Sequence, residues 1–588
     1  MSSKNKGRTR TRSVIFKVLS WAFGIPLALI AIAALACVWL HATADLGEPE
    51  FVPSQVPVVQ VNDSLRRWGS SSLRIDPDGL YEMRVCGGPF ERGEAIGKLG
   101  ADLLYQQEKA FADKLFEMVP SSRYRAFLHY FITIFNRRLG ASVPLEYRQE
   151  IKAMSASCTH EFDEFGSPYE RQMQYHSAHD IGHVMQDYML VGCTSFAVWG
   201  RESADSSLLI ARNFDFYMGE EFAKNKLVLF EKPDSGYAYV SVTWPGMLGV
   251  VSGMNTEGLA VTINASKLEV PSSSATPISI LVKSILQYAS NIEEAETIAA
   301  SFKTFVCESI LVGSANDGRA VIIEKTPSDM GIYSPDGGSE SSRMTVASSA
   351  NMDSSLDGAV TRVICTNHYQ SDRFRNDPVN VENIRVSDSG YRYRRVQQLL
   401  DSLGSIDYLK AAAVLRDIRG VDGEEVGYCN DLSINQMLAM HSVIFKPAEK
   451  KIWVSTSPWQ FGKFVCFDLD EVFGEEGVLA GDAGFSDDEL SIPADNFLET
   501  EAFRNVLKFK AMQQTLATAS KSRREVPADS LSLFASWNPS YYGTYVAVAS
   551  YLESLGKTAE AAEYYRRALT CPMKLSELQH LESRLRGR

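Results

Sequence analysis

The stretch LVGCTSFAVWG, residues 190–200, decides the fold when it is taken together with ARNFDF, residues 211–216. Each segment is an apolar run of strand-forming residues, and a polar stretch from Arg201 to Ser206 separates them. Two such runs joined by a short polar turn predict the arms of a β-hairpin. If Gly200 faces Ser207 across the turn, the pairing of every other residue in the hairpin is fixed.

That register gathers three chemically active side chains at one end of the hairpin. Cys193 lies opposite Phe214, so its thiol comes close to the guanidinium of Arg212 and the carboxylate of Asp215. A cysteine attacks as its thiolate, and a neighbouring cation stabilises the thiolate. The spacing therefore predicts a site for cysteine chemistry, with an inert buried cysteine as the alternative.

A general base is missing from this set of residues. The α-amino group of Cys193, with an ordinary pKa of roughly 8, would serve if the bond between Gly192 and Cys193 were cut. Gly192 has no side chain, so the thiol can approach its carbonyl closely. We therefore expect self-cleavage: the thiol attacks the Gly192 carbonyl, a thioester forms, and water releases a new chain that begins with Cys193.

The two segments resemble the N-terminal-nucleophile cysteine hydrolases of the choloylglycine hydrolase and acyl-coenzyme A:6-aminopenicillanic acid acyltransferase type. Further segments are similar to the family pattern and follow in the same order: WPGMLGVVSGMNTEGLAVTINAS (244–266), CTNHYQ (365–370), SGYRYRRVQQLL (389–400) and MHSVIFKPAEKKIWVS (440–455). The resemblance runs from Cys193 to about Asp470. It implies an α+β fold, a four-layer αββα sandwich. The long segment before Cys193 favours the branch of the family whose precursors carry a propeptide and process themselves.

The resemblance also implies a set of catalytic residues. They are Cys193, Arg212, Asp215, Asn264, Asn367 and Arg392. Cys193 would be the nucleophile and, through its amine, the base, while Arg212 would steady the thiolate and Asp215 would orient the amine. The two asparagines would hold the amine and form the oxyanion hole, where each donor is typically worth ~3 kcal/mol of barrier height.

Arg392 would complete the electrostatic frame, with Arg394 and Arg395 as alternatives for the same position. The implied reaction is acyl transfer from a small-molecule, non-peptide amide through a Cys193 thioester to water or to an amine. No cofactor and no metal are expected for this chemistry. Which acyl group and which amine the substrate carries is not legible in the sequence.

Two other kinds of function fit parts of the sequence. His176, His179 and His183 would share one helix face, which is feasible geometry for a metallohydrolase, but the HExxH pattern is absent and Gly182 weakens the helix. The chain could instead be a non-catalytic, membrane-anchored scaffold with a vestigial catalytic domain. The presence of the whole cysteine, arginine, aspartate and asparagine set argues against a scaffold.

The N-terminus predicts a membrane anchor. Residues 1–17 are basic, and Val18 to Leu40 carries no charge. This run would extend ~34 Å as a helix, enough to span a bilayer. The basic flank would remain cytoplasmic and place the catalytic domain on the other side of the membrane. A cleaved signal peptide is the alternative, since Ala34 and Ala36 could form a processing site.

The predicted organisation has five parts. They are a basic cytoplasmic tail (1–17), a transmembrane anchor (18–41), a linker with a mainly helical pro-region (42–192), the catalytic domain (193–475) and an acidic linker followed by helices (476–588). The last region contains YVAVASYLESLGKTAEAAEYYRRAL, which resembles one tetratricopeptide-type helix pair. A single pair cannot bury its own apolar face, so we expect it to pack on the catalytic domain. The net charge of −13 disfavours a nucleic-acid partner.

Overall fold

The computed structural model describes most of the chain, apart from the N-terminus and a few internal segments. The described residues are 27–184, 192–216, 218–271, 273–335, 360–474 and 484–586, without the side chains of 178, 179 and 181–184. Within them, the strands form two sheets and the helices cover the outer faces of both sheets.

The larger sheet has eleven strands in the order β1-β2-β3-β4-β7-β8-β9-β10-β11-β12-β13. Its strands are β1 (Val59–Asn62), β2 (Leu65–Trp68), β3 (Ser71–Ile75), β4 (Tyr81–Gly87), β7 (Leu227–Pro233), β8 (Tyr239–Thr243), β9 (Ser252–Asn255), β10 (Leu259–Ala265), β11 (Glu308–Ser314), β12 (Arg319–Lys325) and β13 (Met330–Tyr333). Neighbouring strands are antiparallel except that β4 runs parallel to β7. The segment before Cys193 therefore joins the same sheet as the segment after it.

The smaller sheet has seven antiparallel strands in the order β14-β5-β6-β15-β16-β17-β18. Its strands are β5 (Thr194–Val198), β6 (Leu209–Asp215), β14 (Arg362–Cys365), β15 (Ala439–Lys446), β16 (Lys451–Ser455), β17 (Phe464–Asp468) and β18 (Ser486–Ile492). The predicted hairpin supplies the second and third strands of this sheet. Its predicted register is confirmed: Thr194 pairs with Asn213 and Val198 pairs with Leu209.

The helices of the described chain fall into four groups along the sequence. The first group is α1 (27–42), α2 (Pro89–Leu99), α3 (Ala101–Met118), α4 (Ser122–Phe135), α5 (Leu139–Ser142), α6 (Leu145–Ser155) and α7 (Pro168–Val184). The second group is α8 (Ile278–Tyr288) and α9 (Ile292–Ser301), and the third is α10 (Pro378–Val386), α11 (Ser389–Leu403), α12 (Tyr408–Leu415) and α13 (Leu469–Phe473). The fourth group is α14 (Glu501–Ser522), α15 (Ala528–Trp537), α16 (Tyr542–Ser554), α17 (Thr558–Ala568) and α18 (Leu575–Arg586).

The apolar cores show how the layers stack. One core lies between the two sheets and includes Val228 and Val240 of the larger sheet with Ile210 and Val443 of the smaller one. A second core packs α8 and α9 on the larger sheet, and a third packs α11 and α12 on the smaller sheet. The layer order is therefore helix, sheet, sheet, helix, as predicted for an α+β sandwich.

The region before Cys193 contains strands that its sequence did not indicate. The segment predicted as a linker and a mainly helical pro-region supplies β1 to β4, which extend the larger sheet, in addition to α2 to α7. Three of these strands have only four or five residues, and segments such as LRRW lack the alternation that marks a longer strand. The N-terminal region is thus built into the fold on both a sheet edge and a helical face.

The predicted membrane span lies partly outside the described residues. Residues 27–42 are helical, and Leu29, Ile32, Leu35 and Trp39 on this helix are exposed. Of the helices that the structure describes, starting at residue 27, none is both long enough and apolar enough to cross a membrane.

The C-terminal helices form a core of their own. Val548 and Ala549 of α16 pack with Ala561 and Tyr565 of α17, and Phe509 of α14 belongs to the same core. This confirms a helix pair at the predicted position. Helices α14 to α18 also contact the loop at residues 426–437 of the catalytic domain, as described below.

Candidate active site

Cys193 lies directly before β5 and its side chain is buried. The Nη2 atom of Arg212, on the neighbouring strand β6, donates a hydrogen bond to the Cys193 Sγ over 3.6 Å. Burial raises the pKa of the Cys193 thiol, and the charge of Arg212 opposes that effect. In the uncut chain the thiol therefore holds its proton and needs a base before it can attack.

Both terminal nitrogens of the Arg212 guanidinium are held by hydrogen bonds. Its Nη1 donates to the carbonyl of Val251 and to the Oγ of Ser252, each over 2.5 Å. Its Nη2 donates to the carbonyl of Ile263 as well as to the thiol. The ring of Phe214 lies 4.5 Å from the guanidinium carbon. A cation held this rigidly stabilises a thiolate without reorganisation during the reaction.

Asp215 ends β6 and is fully buried. Its backbone carbonyl accepts a hydrogen bond from the Gly192 N–H over 3.2 Å, so the residue lies beside the Gly192–Cys193 peptide bond. Neither carboxyl oxygen has a hydrogen-bond partner among the described residues. Burial raises the pKa of Asp215 to about 8, although Arg392 and Arg212 lower it. Asp215 thus lies beside the bond that we expect to be cut and carries a carboxyl that has no hydrogen-bond partner among the described residues.

Arg392, on α11, holds the backbone on the other side of Cys193. Its Nη1 donates to the Cys193 carbonyl over 2.5 Å and to the Thr194 Oγ1 over 2.8 Å. Its Nη2 donates to the Asn367 Oδ1 and to the Asp388 carboxylate over 2.6 and 2.7 Å. The side chain of Arg392 is fully buried, and it joins three segments of the chain around the nucleophile.

The two arginines that were alternatives to Arg392 point elsewhere. Arg394 lies over the ring of Tyr391, with 5.0 Å between its guanidinium carbon and the ring centre. Arg395 forms a bidentate pair with Asp417. Helical periodicity explains the difference, because residues two and three positions after Arg392 lie on other faces of α11.

The two asparagines are connected to the Cys193 segment by hydrogen bonds, Asn264 through Ser195 and Asn367 through Arg392. Asn264, on β10, accepts a hydrogen bond from the Ser195 Oγ over 3.1 Å and donates to the Cys365 carbonyl over 2.9 Å. Asn367, just after β14, donates to the Ala265 carbonyl over 2.8 Å and receives the bond from Arg392. Both amides are engaged with protein groups in the uncut chain.

Two polar side chains at the site were not singled out from the sequence. Gln436 donates from Nε2 to the Gly192 carbonyl over 3.3 Å. His441, on β15, contacts the Ser252 Oγ over 2.9 Å through its Nε2 and so supports the group that holds Arg212. Neither residue belongs to a local pattern, and both reach the site only because the smaller sheet places β15 beside β6.

His176 has a structural arrangement rather than an open metal position. Its Nδ1 contacts the carbonyl of Gln172 over 2.7 Å, and its Nε2 accepts a hydrogen bond from the Leu248 N–H over 3.0 Å. Both ring nitrogens are therefore occupied, and burial lowers the pKa of His176 to about 4. The side chains of His179 and His183 lie outside the described residues, so the proposed triad is not described as a whole.

An aromatic wall adjoins the thiol. Phe214, Phe216, Phe222 and Trp244 share one core cluster with Cys193. The Trp244 ring centre lies 6.1 Å from that of Phe214, 6.2 Å from that of Phe216 and 5.6 Å from that of Phe222. These rings thus share an apolar core with Cys193, and one of them, Phe214, also lies over the Arg212 guanidinium.

The family comparison agrees with the resemblance to the N-terminal-nucleophile cysteine hydrolases. Residues 201–457 match the family model described as acyl-coenzyme A:6-aminopenicillanic acid acyl-transferase, which confirms the resemblance seen in the sequence motifs. The match begins just after Cys193. It supports an enzyme of the amidohydrolase or acyltransferase kind.

Individual relatives have low sequence identity to this chain. A protein of Archaeoglobus fulgidus described as uncharacterized is 23% identical over 416 residues, and the alignment covers 65% of this chain and 65% of that relative's length. Among solved structures, the N-acylethanolamine-hydrolyzing acid amidase ortholog of Caenorhabditis elegans is 17% identical with a TM-score of 0.29, covering 44% of this chain and 93% of that one. Penicillin V acylase from Agrobacterium tumefaciens is 14% identical with a TM-score of 0.27, covering 45% and 83%.

Proposed function

We propose that the protein is a self-processing cysteine amidohydrolase or acyltransferase. It cuts its own chain between Gly192 and Cys193. The freed Cys193 then accepts an acyl group from a small-molecule, non-peptide amide and passes it from the thioester to water or to an amine. The amine released from the substrate takes up the proton that the Cys193 α-amino group removed from the thiol.

The observation that carries this proposal is the unpartnered carboxyl of Asp215. Leaving a buried polar group without a hydrogen bond costs about 1–3 kcal/mol, so such a group calls for an explanation. Cleavage would create an α-amino group beside this carboxyl, because the Gly192 N–H already bonds to the Asp215 backbone. The new amine would supply the missing partner, and its positive form would favour the ionised Asp215.

The two arginines support the same chemistry from opposite sides. Arg392 holds the Cys193 carbonyl, which fixes the residue that would become the chain end. Arg212 contacts the sulfur and would stabilise the thiolate. Asn264 and Asn367 are the proposed oxyanion donors of the cut enzyme, because each is one hydrogen-bonded group away from the nucleophile segment.

The aromatic wall supports an apolar acyl group. Phe214, Phe216, Phe222 and Trp244 share one buried apolar cluster with Cys193. An aliphatic or aromatic acyl chain would gain roughly 25 cal/mol for each Å² of apolar surface that it buries there.

The two cleavage products are expected to remain one enzyme. The N-terminal fragment would contribute β4, which pairs with β7 along seven residues on each strand. The carboxylate of Asp180 on α7 also accepts the Ile278 N–H at the start of α8. The cut would therefore separate the chains covalently without opening the sheet, so the N-terminal fragment is the proposed permanent partner.

We also propose that the N-terminal helix anchors the protein in a membrane, with the N-terminus in the cytoplasm and the catalytic domain on the other side. Support comes from the exposed apolar side chains of α1 and from the adjacent α4, where Tyr124, Phe127 and Phe131 are exposed as well. The ring of His41 at the end of α1 stacks on Tyr130 of α4 with 4.3 Å between the ring centres. Aromatic residues of this kind are typical of a membrane interface.

The direct test is the N-terminal sequence of the mature protein. We expect two fragments, one of which begins with Cys193, and a single uncut chain for Cys193→Ala. A catalytically active wild-type protein that remains one continuous chain through residue 193 would refute the self-processing mechanism. Turnover of a panel of amides with apolar acyl groups, measured with and without an amine acceptor, separates hydrolysis from transfer.

A further inference from the structure

Gln436 touches the bond that the proposed self-cleavage would break. Its Nε2 lies 3.3 Å from the Gly192 carbonyl oxygen and donates to it, and its side chain is buried. A Cβ atom on residue 192 would come within 2.5 Å of the Gln436 Nε2, so a side chain at this position would push the Gln436 amide away from the carbonyl. The glycine before Cys193 and the amide of Gln436 therefore fit each other.

We propose that Gln436 is a catalytic residue of the self-cleavage step and that the C-terminal helices hold it in place. This inference rests on the self-processing function proposed above. It adds an oxyanion donor for the precursor, which differs from the asparagines proposed for the cut enzyme.

The bonds and the proton of the self-cleavage step can each be followed with Gln436 as the donor. The Cys193 Sγ attacks the Gly192 carbonyl carbon, and the carbonyl oxygen takes the negative charge while Gln436 donates to it. The carbon–nitrogen bond then breaks, the nitrogen keeps its proton and gains the one lost by the thiol, and a thioester joins Gly192 to Cys193. Water hydrolyses the thioester and leaves a Gly192 carboxylate and a free Cys193 thiol. The contact of 3.3 Å is that of a neutral carbonyl, and we expect it to shorten as charge develops.

The backbone on both sides of Gln436 is fixed locally. The Asn435 N–H donates to the Asp417 carbonyl over 2.8 Å, and the Asn435 Oδ1 accepts the Met437 N–H over 3.0 Å. Met437 has a positive φ of 53°, which few residues other than glycine adopt without support from their surroundings. Gln436 is thus held between two constrained residues rather than on a free loop.

The C-terminal helices provide the outer support of this segment, which we call the Gln436 loop (426–437). Asn538, at the end of α15, accepts the Tyr428 N–H over 3.0 Å and donates to the Tyr428 carbonyl over 2.8 Å. Lys574, just before α18, pairs with Asp431 over 2.7 Å.

The same face of the C-terminal helices touches both ends of the loop. Lys510 on α14 donates to the Met437 carbonyl over 3.0 Å. At the other end, a Cβ on Gly427 would meet the Tyr541 nitrogen at 2.6 Å. The C-terminal helices therefore fix the position of the cleavage donor, which gives them a role in maturation.

The experiment measures the rate at which newly made full-length chain is cut before Cys193. Gln436→Met keeps the size of the side chain and removes the donor, and we expect cutting to slow by about 10²-fold or more. Gln436→His restores an N–H at a similar reach and should be cut faster than Gln436→Met. Thermal unfolding of each uncut protein shows whether the variant has folded.

The role of the C-terminal helices in positioning Gln436 is tested at Asn538, which contacts Tyr428 of the Gln436 loop. Asn538→Leu removes both bonds to Tyr428 and should slow cutting about tenfold, whereas Asn538→Asp keeps one acceptor and should be intermediate. Lys521→Ala, which removes an exposed ion pair between α14 and Glu117, is the matched control and should be cut at the wild-type rate.

The outcomes separate this inference from the function beneath it. Wild-type chain that is never cut would overturn the self-processing function and the role of Gln436 with it. Wild-type chain that is cut before Cys193, together with folded Gln436→Met cut equally fast, would overturn only the role of Gln436. Folded Gln436→His that is no faster than Gln436→Met would exclude hydrogen-bond donation as the reason for the effect.

Discussion

Two buried clusters of charged side chains differ in how their charges are balanced. The first, the ion-pair cluster, consists of Arg92, Glu150, Glu231 and Lys283. The Lys283 Nζ lies 2.9 Å from Glu150 and 3.2 Å from Glu231. Arg92 lies 3.3 Å from Glu150 and 3.4 Å from Glu231. Two cations here face two carboxylates, and the pairs connect α2 and α6 with β7 and α8 across the proposed cleavage point.

The second, the site cluster, consists of Arg212, Asp215 and Arg392 around Cys193. Its guanidinium groups bond to backbone carbonyls and to the thiol, while the Asp215 carboxyl has no hydrogen-bond partner in the described chain. A balanced cluster stabilises the fold as it stands, whereas a cluster with one group left over is what we expect of a site whose missing partner forms only in the proposed cleavage. The comparison therefore distinguishes a structural cluster from a candidate functional one.

The largest expected effect breaks the functional cluster at Asp215. We expect Asp215→Asn to lower turnover by about 10⁴-fold, counted per molecule that begins with Cys193, because an amide cannot stabilise the ammonium that forms when the thiol loses its proton. The variant should remain folded, since the carboxyl has no hydrogen-bond partner among the described residues of the uncut chain. Steady-state kinetics and urea unfolding measure the two quantities.

Asp205→Asn is the matched control for that variant. Asp205 lies in the turn at the opposite end of the same hairpin, where its carboxylate accepts the Ser207 N–H over 3.0 Å. Its replacement should leave turnover unchanged and reduce stability slightly. Turnover near the wild-type value in folded Asp215→Asn would remove Asp215 from the mechanism.

The ion-pair cluster should respond in the opposite way. Lys283→Met leaves two buried carboxylates beside one guanidinium, and we expect the unfolding free energy to fall by about 3–4 kcal/mol. Adding Glu231→Gln to Lys283→Met should recover at least half of that loss because it removes the excess negative charge. Turnover per folded molecule should not change. Denaturant unfolding of the single and double variants gives the coupling.

Lys109→Met is the control for the buried lysine. Lys109 forms an exposed pair with Asp113 on α3, so its loss should change stability by less than about 0.5 kcal/mol. If Lys283→Met were no more destabilising than Lys109→Met, the ion-pair cluster would not hold the two halves of the fold together.

The pH dependence of stability tests the protonation state of Asp215 in the site cluster, independently of the chemistry of the Cys193 thiol. In uncut Cys193→Ala, the Asp215 pKa of about 8 lies above the ordinary value of about 3.9 for an unfolded chain. Between these values the folded protein holds a proton that the unfolded chain has released, so stability falls as pH rises from about 4 to about 8 and is flat in this respect above that range. Adding Asp215→Asn should remove the part of this decline that Asp215 causes, about 1.4 kcal/mol for each pH unit between the two pKa values.

The difference between the two uncut variants isolates Asp215. Glu82 and Glu324, whose pKa values burial raises to about 7, contribute to both variants and cancel. Urea unfolding at a series of pH values is the measurement. Parallel curves for Cys193→Ala and the double variant would show that Asp215 is already ionised in the uncut chain.

The hairpin was predictable because its information is local. One turn of polar residues fixes the register from Cys193 to Asp215, and the structure confirms the pairing. The sequence did not decide in the same way which arginine of α11 reaches the site. Arg392, Arg394 and Arg395 stand close together in the sequence and differ only in which of their helix faces meets β5. Helix periodicity gives relative faces but not which face is buried.

The unpredicted parts of the site depend on contacts distant in sequence. Gln436 reaches Gly192 across more than two hundred residues, and β4 pairs with β7 across the whole N-terminal region. The short strands β1 to β3 carry little apolar alternation because a sheet edge needs less buried surface than a central strand. Sequence patterning therefore identified Cys193 as a candidate nucleophile but not the groups that surround its peptide bond.

The smallest expected effect concerns Ser252, which supports Arg212 in the site cluster. The Ser252 Oγ accepts a hydrogen bond from Arg212 and contacts His441, while the Val251 carbonyl accepts a second bond from the same guanidinium nitrogen. Ser252→Ala removes one of these two acceptors and leaves the other. We expect turnover to fall about tenfold, equivalent to roughly 1–2 kcal/mol, because the guanidinium remains charged but less firmly placed beside the thiolate.

Thr262→Val on the adjacent strand β10 serves as the control, since its hydroxyl has no partner in the described chain and its loss should leave turnover unchanged. The pH dependence of thiol alkylation in cut enzyme tests the cause: Ser252→Ala should raise the apparent pKa of Cys193, whereas equal alkylation profiles with reduced turnover would place the role of Ser252 in substrate binding.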